Sequence, residues 1–237
     1  MRWRRYVAWG LGVVLAVGLG GAVAFVHHGE ARLAEIPALV QERLAAHGSS
    51  FVPLHDVPTY LIEATVAVED RSFWTNPGIS PEGIARAAVV DIVHRGFVEG
   101  GSTITQELVR DMLLSLKKTL SRKITGTLYS LLCADRYSKD AVMSYYLNEV
   151  NYGNGAFGIA AAAKTYFGLP PSSLGLSQCA LLAGLPQDPA GLDPFVHIHA
   201  ARARERVVLD AMVDTNVIST RQAAAAAAAP LGLLPHG

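Results

Sequence analysis

Cysteine is nearly missing from this chain. Cys133 and Cys179 are the only two among 237 residues, and each sits in an apolar run without metal-ligand spacing. That argues against a disulfide framework and a cysteine-built zinc site, and both read as small buried hydrophobes. Charge is scarce as well, at 17% of residues, and 20 Lys+Arg cancel 20 Asp+Glu. A neutral total gives no electrostatic ground for a nucleic acid partner. Sustained apolar–polar alternation is absent, so the fold class is mainly α with any strands short. No internal repeat occurs, and the eight histidines, His27-His28 and His197-x-His199 included, show no recognised metal spacing and read as solvated. What is plentiful is apolar surface, 51% of residues: too much for a disordered chain, and enough for one folded domain plus an anchor.

The N-terminus carries the longest apolar run. Arg2, Arg4 and Arg5 precede an uncharged stretch over residues 6–26, roughly the 20 residues that cross a bilayer core as a helix. The arginines lie before it and Glu30 after, so the positive-inside rule puts residues 1–26 down as cytoplasmic arginines and transmembrane anchor, with the remainder outside. Trp3, Tyr6 and Trp9 suit interfacial anchors. The alternative is a cleaved signal peptide, because Ala22-Val-Ala24 has the look of a cleavage site.

Residues 27–57 read as a polar connector with a short helix, 58–215 as the domain, and 216–237, with its alanine run, as a C-terminal tail. Within the domain, Ser80-Pro81-Glu82 opens a helix whose face carries Ile84, Ala88 and Ile92 and which closes at Gly96. Ser121 is expected to cap the next, with Ile124, Leu128, Leu131 and Leu132 in an i, i+4, i+7, i+8 stripe. Ser138, Ser177 and Ser219 look like further caps. Glycine-marked loops at 99–102, 151–155 and 184–194 are where a helical frame would carry a site.

Three features point to chemistry. Glu69 and Asp70 stand at the end of an apolar helix, before a loop, where partial burial raises a carboxylate's proton affinity and makes it a general base. A solvated pair or a cap is the ordinary alternative. Gly100-Gly-Ser-Thr-Ile-Thr-Gln106 is a hydroxyl- and amide-rich loop entering a helix, suited to hydrogen bonding a sugar or phosphate, or simply a capped helix start. Arg110, Lys117, Lys118, Arg122, Lys123, Arg136 and Lys139 then outnumber the acids of the same stretch, which suits an anion such as a pyrophosphate, or a solvated helix face.

In order, the pieces EDRSFWTNPG, GGSTITQEL, LSRK, RYSKDAVMSYYLNEVNYGNGAFGIAAAAKTYFG and LSQCALLAGLPQDP resemble the glycosyltransferase domain of monofunctional peptidoglycan transglycosylases and class A penicillin-binding proteins. The resemblance implies a lysozyme-like helical domain with a smaller membrane-facing lobe, preceded by one transmembrane helix. It implies an inverting transferase that polymerises lipid II into glycan strands and releases undecaprenyl pyrophosphate. Glu69 then corresponds to the general base. Arg110, Lys118, Arg122 and Lys123 fall where the family binds the pyrophosphate, helped by Mg2+ or Mn2+, with no organic cofactor. Asp70, Arg86, Ser102, Gln106 and Asn148 match positions lining or supporting the cleft. The partners implied are lipid II, the growing glycan chain, the membrane and other cell-wall synthesis proteins, at the outer face of the cytoplasmic membrane.

Several positions depart from the family pattern. Gly126 stands where a second glutamate is usual, three residues after Lys123. Asn76 replaces a histidine, Glu107 replaces the second glutamine of the S-T-I-T-Q-Q run, and Ala134, Ala160 and Gln178 replace acids. These losses motivate an alternative, a weakened homologue that binds lipid II or glycan as a scaffold or regulator. Ser115-Leu-Lys-Lys118 fits S-x-x-K of the transpeptidases, but no K-T-G follows.

Overall fold

The computed structural model describes residues 2–81, 83, 101–115, 117 and 119–235, with backbone alone for 2–17. Among these residues every regular element is a helix, apart from an isolated antiparallel bridge between Asn151 and Phe157. The helices are α1 (Arg2–Leu33), α2 (Ile36–Ala46), α3 (Thr59–Glu69), α4 (Ile104–Leu113), α5 (Leu120–Arg136), α6 (Lys139–Glu149), α7 (Gly158–Phe167), α8 (Leu176–Gly184), α9 (Ile198–Asp214) and α10 (Thr220–Ala228). The helix read at 81–96 from Ile84, Ala88 and Ile92 lies outside the described residues, although Ser80 Oγ does accept from Gly83 N at 3.0 Å.

Two groups of helices make the frame. In the first, α3, α8 and α9 pack closely on one another. The α8 run of Cys179, Ala180, Leu181, Leu182 and Ala183 is buried throughout, which suits a helix apolar on every side. In the second, α4 packs on α5 and α6. On α6, Val142, Met143, Tyr146 and Leu147 recur one turn apart and are all buried. Residues 27–57 do more than connect. Ile36, Val40 and Leu44, spaced by four, are buried in the same core as Leu33, and α2 packs on α6. Of the expected tail 216–237, the described residues 216–235 likewise fold onto the domain: Ser219 and Gln222 form a capping box, Ala223 and Ala226 are buried, and Leu234 N bonds Tyr166 O at 2.8 Å.

The stretch 6–26 falls within α1. Most of its side chains are not described, and among the described residues no helix is long and apolar enough to cross a membrane. The last turns of α1 run parallel to α5. Phe25 and Tyr129 rings sit 5.3 Å apart, Glu30 pairs with Arg136 at 2.9 Å, and Tyr137 Oη donates to Leu33 O at 2.8 Å. Leu132 and Tyr129 close so tightly over Gly29 that a Cβ there would lie 2.9 Å from Leu132 Cδ1.

Helix α5 corrects one expectation. Its cap is Thr119, whose side chain accepts from Arg122 N, rather than Ser121. Most of its apolar stripe faces outward: Ile124, Leu128 and Leu131 are exposed, as is Leu120, while Leu132 is half-buried against the core and Tyr129, Ser130 and Cys133 are buried. Ser138 caps α6 as expected. Ser177 does not cap α8, because the helix already starts at Leu176 and its hydroxyl donates to Glu205 at 2.7 Å. Both cysteines are free and buried, and burial pushes each thiol up to about 12.

Candidate active site

The neighbouring carboxylates Glu69 and Asp70 diverge because α3 ends between them. Asp70 has left the helix, with φ −154° and ψ 82°, and turns inward. It accepts from Ser72 Oγ at 2.9 Å, from Asn76 Nδ2 at 2.9 and 3.0 Å, and from Ile104 N at 3.3 Å, the first amide of α4. A carboxylate at a helix N-terminus satisfies an otherwise unpaired donor and the helix dipole together. Asp70 is therefore a buried strut fixing α4 against the end of α3, and of the two roles expected for it, lining or supporting the cleft, its contacts are those of a support. Asn76 extends the strut, since its Oδ1 accepts from Gly78 N and Lys139 Nζ, both at 3.0 Å. Burial lowers the pKa of Lys139, and its Nζ sits 4.7 Å over the Phe73 ring.

Thr103 is similarly committed. Its hydroxyl accepts from Gln106 N at 3.1 Å and donates to Gly78 O at 2.7 Å, while Gln106 Oε1 accepts from Thr103 N at 3.0 Å. The Gln106 carboxamide oxygen is thus taken up by the cap, whereas Ser102 is exposed. Gly78 makes the close approach possible: its φ is 92°, and a Cβ there would lie 2.2 Å from Ser130 O, so only glycine fits.

Glu69 keeps its helical position and points the other way, toward α9. Arg204 Nη2 lies 3.3 Å from Glu69 Oε1, with the two side chains 16% and 21% exposed, and Arg204 Nε holds Gly184 O at 3.3 Å. Burial raises the Glu69 pKa, and the positive charges of Arg204 and Arg110 oppose it. A carboxylate that is largely desolvated yet faced by a cation is a usable general base.

Across from it stands the first half of α4. Glu107 Oε2 accepts from Tyr146 Oη at 3.1 Å, and its other oxygen is 3.9 Å from Arg110 Nη1. Burial, then the negative charge of Glu69, push Glu107 up to about 7. Arg110 is held by Asp111 in a two-pronged pair, Nε–Oδ1 2.7 Å and Nη2–Oδ2 3.1 Å, which raises its pKa. Behind them Glu149, fully buried, takes Arg43 Nη1 at 2.6 Å, and Arg43 Nη2 also holds Asp111 O at 2.9 Å. Burial raises the Glu149 pKa, and its Oε1 has no hydrogen-bond partner.

Of the residues expected at the site, Glu69 and Arg110 share one electrostatic cluster. Arg122 sits beyond the C-terminal end of α4, its Nη1 3.4 Å from Ser115 O, and exposed Lys123 follows it on α5. Arg86 and Lys118 lie outside the described residues. Asn148, expected to line or support the cleft, has the contacts of a support: it is fully buried, accepts from Val52 N at 2.7 Å, and donates to Val52 O and Ser144 O, both at 2.8 Å. It pins residue 52 to α6 and has no face for a ligand. Arg204, Tyr146 and Glu149 were not singled out from sequence. A signal existed for Arg204, four residues before buried Val208 on the packed side of α9.

Residues 37–213 match the family described as Transglycosylase. The chain is 40% identical over 181 residues to penicillin-binding protein 1A of Aquifex aeolicus, covering 76% of this chain and 25% of that protein. It is 37% identical over 185 residues to penicillin-binding protein 2D of Bacillus subtilis, covering 78% and 27%. It therefore spans about a quarter of the length of those relatives. A Cupriavidus necator protein that bears the name transglycosylase is 35% identical over 221 residues, covering 93% of this chain and 95% of that one. Among solved structures, penicillin-binding protein 1A from Haemophilus influenzae aligns over 78% of this chain and 18% of its own at 24% identity, with a TM-score of 0.44, a likeness too low to establish a shared fold. The match across residues 37–213, and a relative similar almost from end to end, make the chain a member of the transglycosylase family.

Proposed function

We propose that this protein is an inverting peptidoglycan glycosyltransferase that polymerises lipid II and releases undecaprenyl pyrophosphate. The observation that carries the reading is Glu69: a carboxylate at the end of α3, four-fifths shielded and faced by Arg204 at 3.3 Å. Glu69 takes the proton of the acceptor 4-hydroxyl as that oxygen bonds to the anomeric carbon of the donor chain. The bond from that carbon to the pyrophosphate breaks on the opposite face, so configuration inverts. Arg110, Arg122 and Lys123 are the described cations suited to the departing diphosphate. Among the described residues no three His, Cys, Asp or Glu converge to hold a metal ion. The expected Mg2+ or Mn2+ has no protein-built site among those residues.

The same reading places the protein in the cytoplasmic membrane by a single span, with the folded domain outside. Support comes from the sequence of α1 and from the outer face of α5. There Leu120, Ile124, Leu128 and Leu131 are exposed on the helix that packs beside α1, whose own Leu19, Val23 and Val26 are also exposed. An apolar face with Lys117, Arg122 and Lys123 at one end suits a bilayer surface. The second reading, a lipid II- or glycan-binding scaffold, is favoured by Gly126, which offers no carboxylate where the family usually has one.

The experiment is incubation of the full purified chain with lipid II, with polymer resolved on a gel. Wild type polymerises, and Glu69→Gln loses on the order of 10²–10⁴ in rate while still binding lipid II. A variant as fast as wild type refutes Glu69 as the base, and a wild type that binds lipid II without making polymer establishes the scaffold reading.

A further inference from the structure

We propose that Glu107 is a second functional carboxylate of this site, a positioning residue whose negative charge acts on the proton that Glu69 takes up; the assignment rests on the glycosyl-transfer reading above. The placement of Glu107 is fixed twice over. The reciprocal Thr103–Gln106 cap sets where α4 begins, and Asp70, next in sequence to Glu69, holds the first amide of α4 at 3.3 Å. Glu107 lies on the first turn so fixed, with a side chain 21% exposed. One oxygen takes the Tyr146 hydroxyl at 3.1 Å, and the other faces Arg110 at 3.9 Å.

Glu69 and Glu107 share two neighbours. The charges of both reach Tyr146, which is fully buried, and both interact with Arg110. The surroundings are otherwise mixed. Asp111, on α4 itself, is neutralised by Arg110. Glu149, also on α6, faces Arg43 from α2. Arg204 from α9 faces Glu69, and Arg122 from α5 stays at the far end of α4. In this setting two carboxylates cannot ionise independently. Burial, and then the negative charge of Glu69, push Glu107 up to about 7; the repulsion between the two carboxylates is mutual, so once Glu107 loses its proton it strengthens Glu69 as a base and competes with it for Arg110. The acceptor proton still goes to Glu69, and Glu107 makes no bond to substrate.

Position 126 gives the contrast. A Cβ on Gly126 would meet Leu114 Cδ1 at 3.0 Å, and no carboxylate stands there. The charge missing from α5 is present on α4, where the resembling family has an uncharged glutamine.

The test is the pH–rate profile of polymerisation by the full chain between pH 5.5 and 8.5, for wild type, Glu107→Gln and Tyr146→Phe. Glutamine keeps the shape of the side chain and an oxygen for Tyr146, but never ionises. Wild type should show an inflection near pH 7 that Glu107→Gln lacks, with the ratio of their rates climbing about five-fold across the range, as a coupling of roughly 1 kcal/mol gives. Tyr146→Phe removes a hydrogen bond that favours the ionised carboxylate, so its inflection should move to higher pH. A merely structural role would scale the rate equally at every pH. Profiles of wild type and Glu107→Gln that superpose or run parallel, or an unmoved inflection in Tyr146→Phe, overturn the assignment of Glu107 alone. A wild type inert at every pH overturns the glycosyl-transfer reading and this assignment with it.

Discussion

The ionisation of Glu107 can be read without any substrate, through stability. The carboxyl ionises near 4.5 in an unfolded chain and is pushed up to about 7 in the folded protein, chiefly by burial. Because the folded value is the higher, the folded state holds the proton more tightly. The associated stability is complete below pH 4.5, declines as pH rises, and is gone above pH 7. At 1.36 kcal/mol per pH unit, an interval of this size corresponds to about 3 kcal/mol, and residual solvent access brings the expectation to about 2–3 kcal/mol. Glu107→Gln carries no such penalty. It should match wild type closely at pH 4.5 and exceed it at pH 8 by an amount that raises Tm by about 5–10 °C, given 2–4 °C per kcal/mol for a chain of this size. Thermal melts of the full chain followed by circular dichroism at the two pH values provide the measurement. A Tm difference that is the same at both, or that favours wild type at pH 8, means that Glu107 is an ordinary solvated carboxylate and refutes its burial beside Glu69.

Three other changes follow from the described contacts. Asn148→Ala strips both backbone groups of Val52 of their partner and should cost about 2–4 kcal/mol in denaturant unfolding, without selectively weakening lipid II binding. Gly126→Glu and Gly126→Gln should each add up to about 1 kcal/mol of helix stability, after the tip of Leu114 shifts; if a carboxylate at 126 assists transfer, only the glutamate variant polymerises faster, and equal rates refute that idea. Replacing Arg122 and Lys123 together with glutamine should weaken binding of moenomycin, a phosphoglycolipid that resembles the donor, by roughly 1.5–3 kcal/mol for each charge-assisted bond lost, and unchanged affinity removes those cations from the pyrophosphate site.

Local signals carried much of this architecture. The apolar run into Glu69 and the serines at 138 and 219 were legible because a cap or a helix end is written in adjacent residues. Harder to read was anything decided by which face is covered. The stripe of Ile124, Leu128 and Leu131 has the period of a core face, yet it points outward, because periodicity says which residues share a side and not what lies against it. The opposite happened on α2, where Ile36, Val40 and Leu44 sit among polar neighbours in a stretch that resembles a connector. Glu69 and Asp70 look equivalent in sequence, and only the break in φ between them sends one to Arg204 and the other to the start of α4. The Glu69–Arg204 contact joins residues 135 positions apart, a pairing no local pattern contains. Asn148 was placed near the site by its neighbours in a recognisable run, although its three hydrogen bonds serve the frame.

The seating of α1 against α5 has a mechanical consequence. Rings, an ion pair and a crowded glycine lock residues 25–33 in phase with residues 129–137, and α1 is continuous from Arg2 to Leu33, so its N-terminal end takes its heading from the domain like the arm of a lever. A flexible leash would leave that heading free, and its length alone would matter. Here helical phase matters: inserting one residue upstream of position 25 would turn everything before it by about 100° and displace it by about 1.5 Å. Four residues would nearly restore the original heading at a greater reach. The bearing of Glu69 relative to whatever α1 enters is thus a property of helix geometry, adjustable in discrete steps.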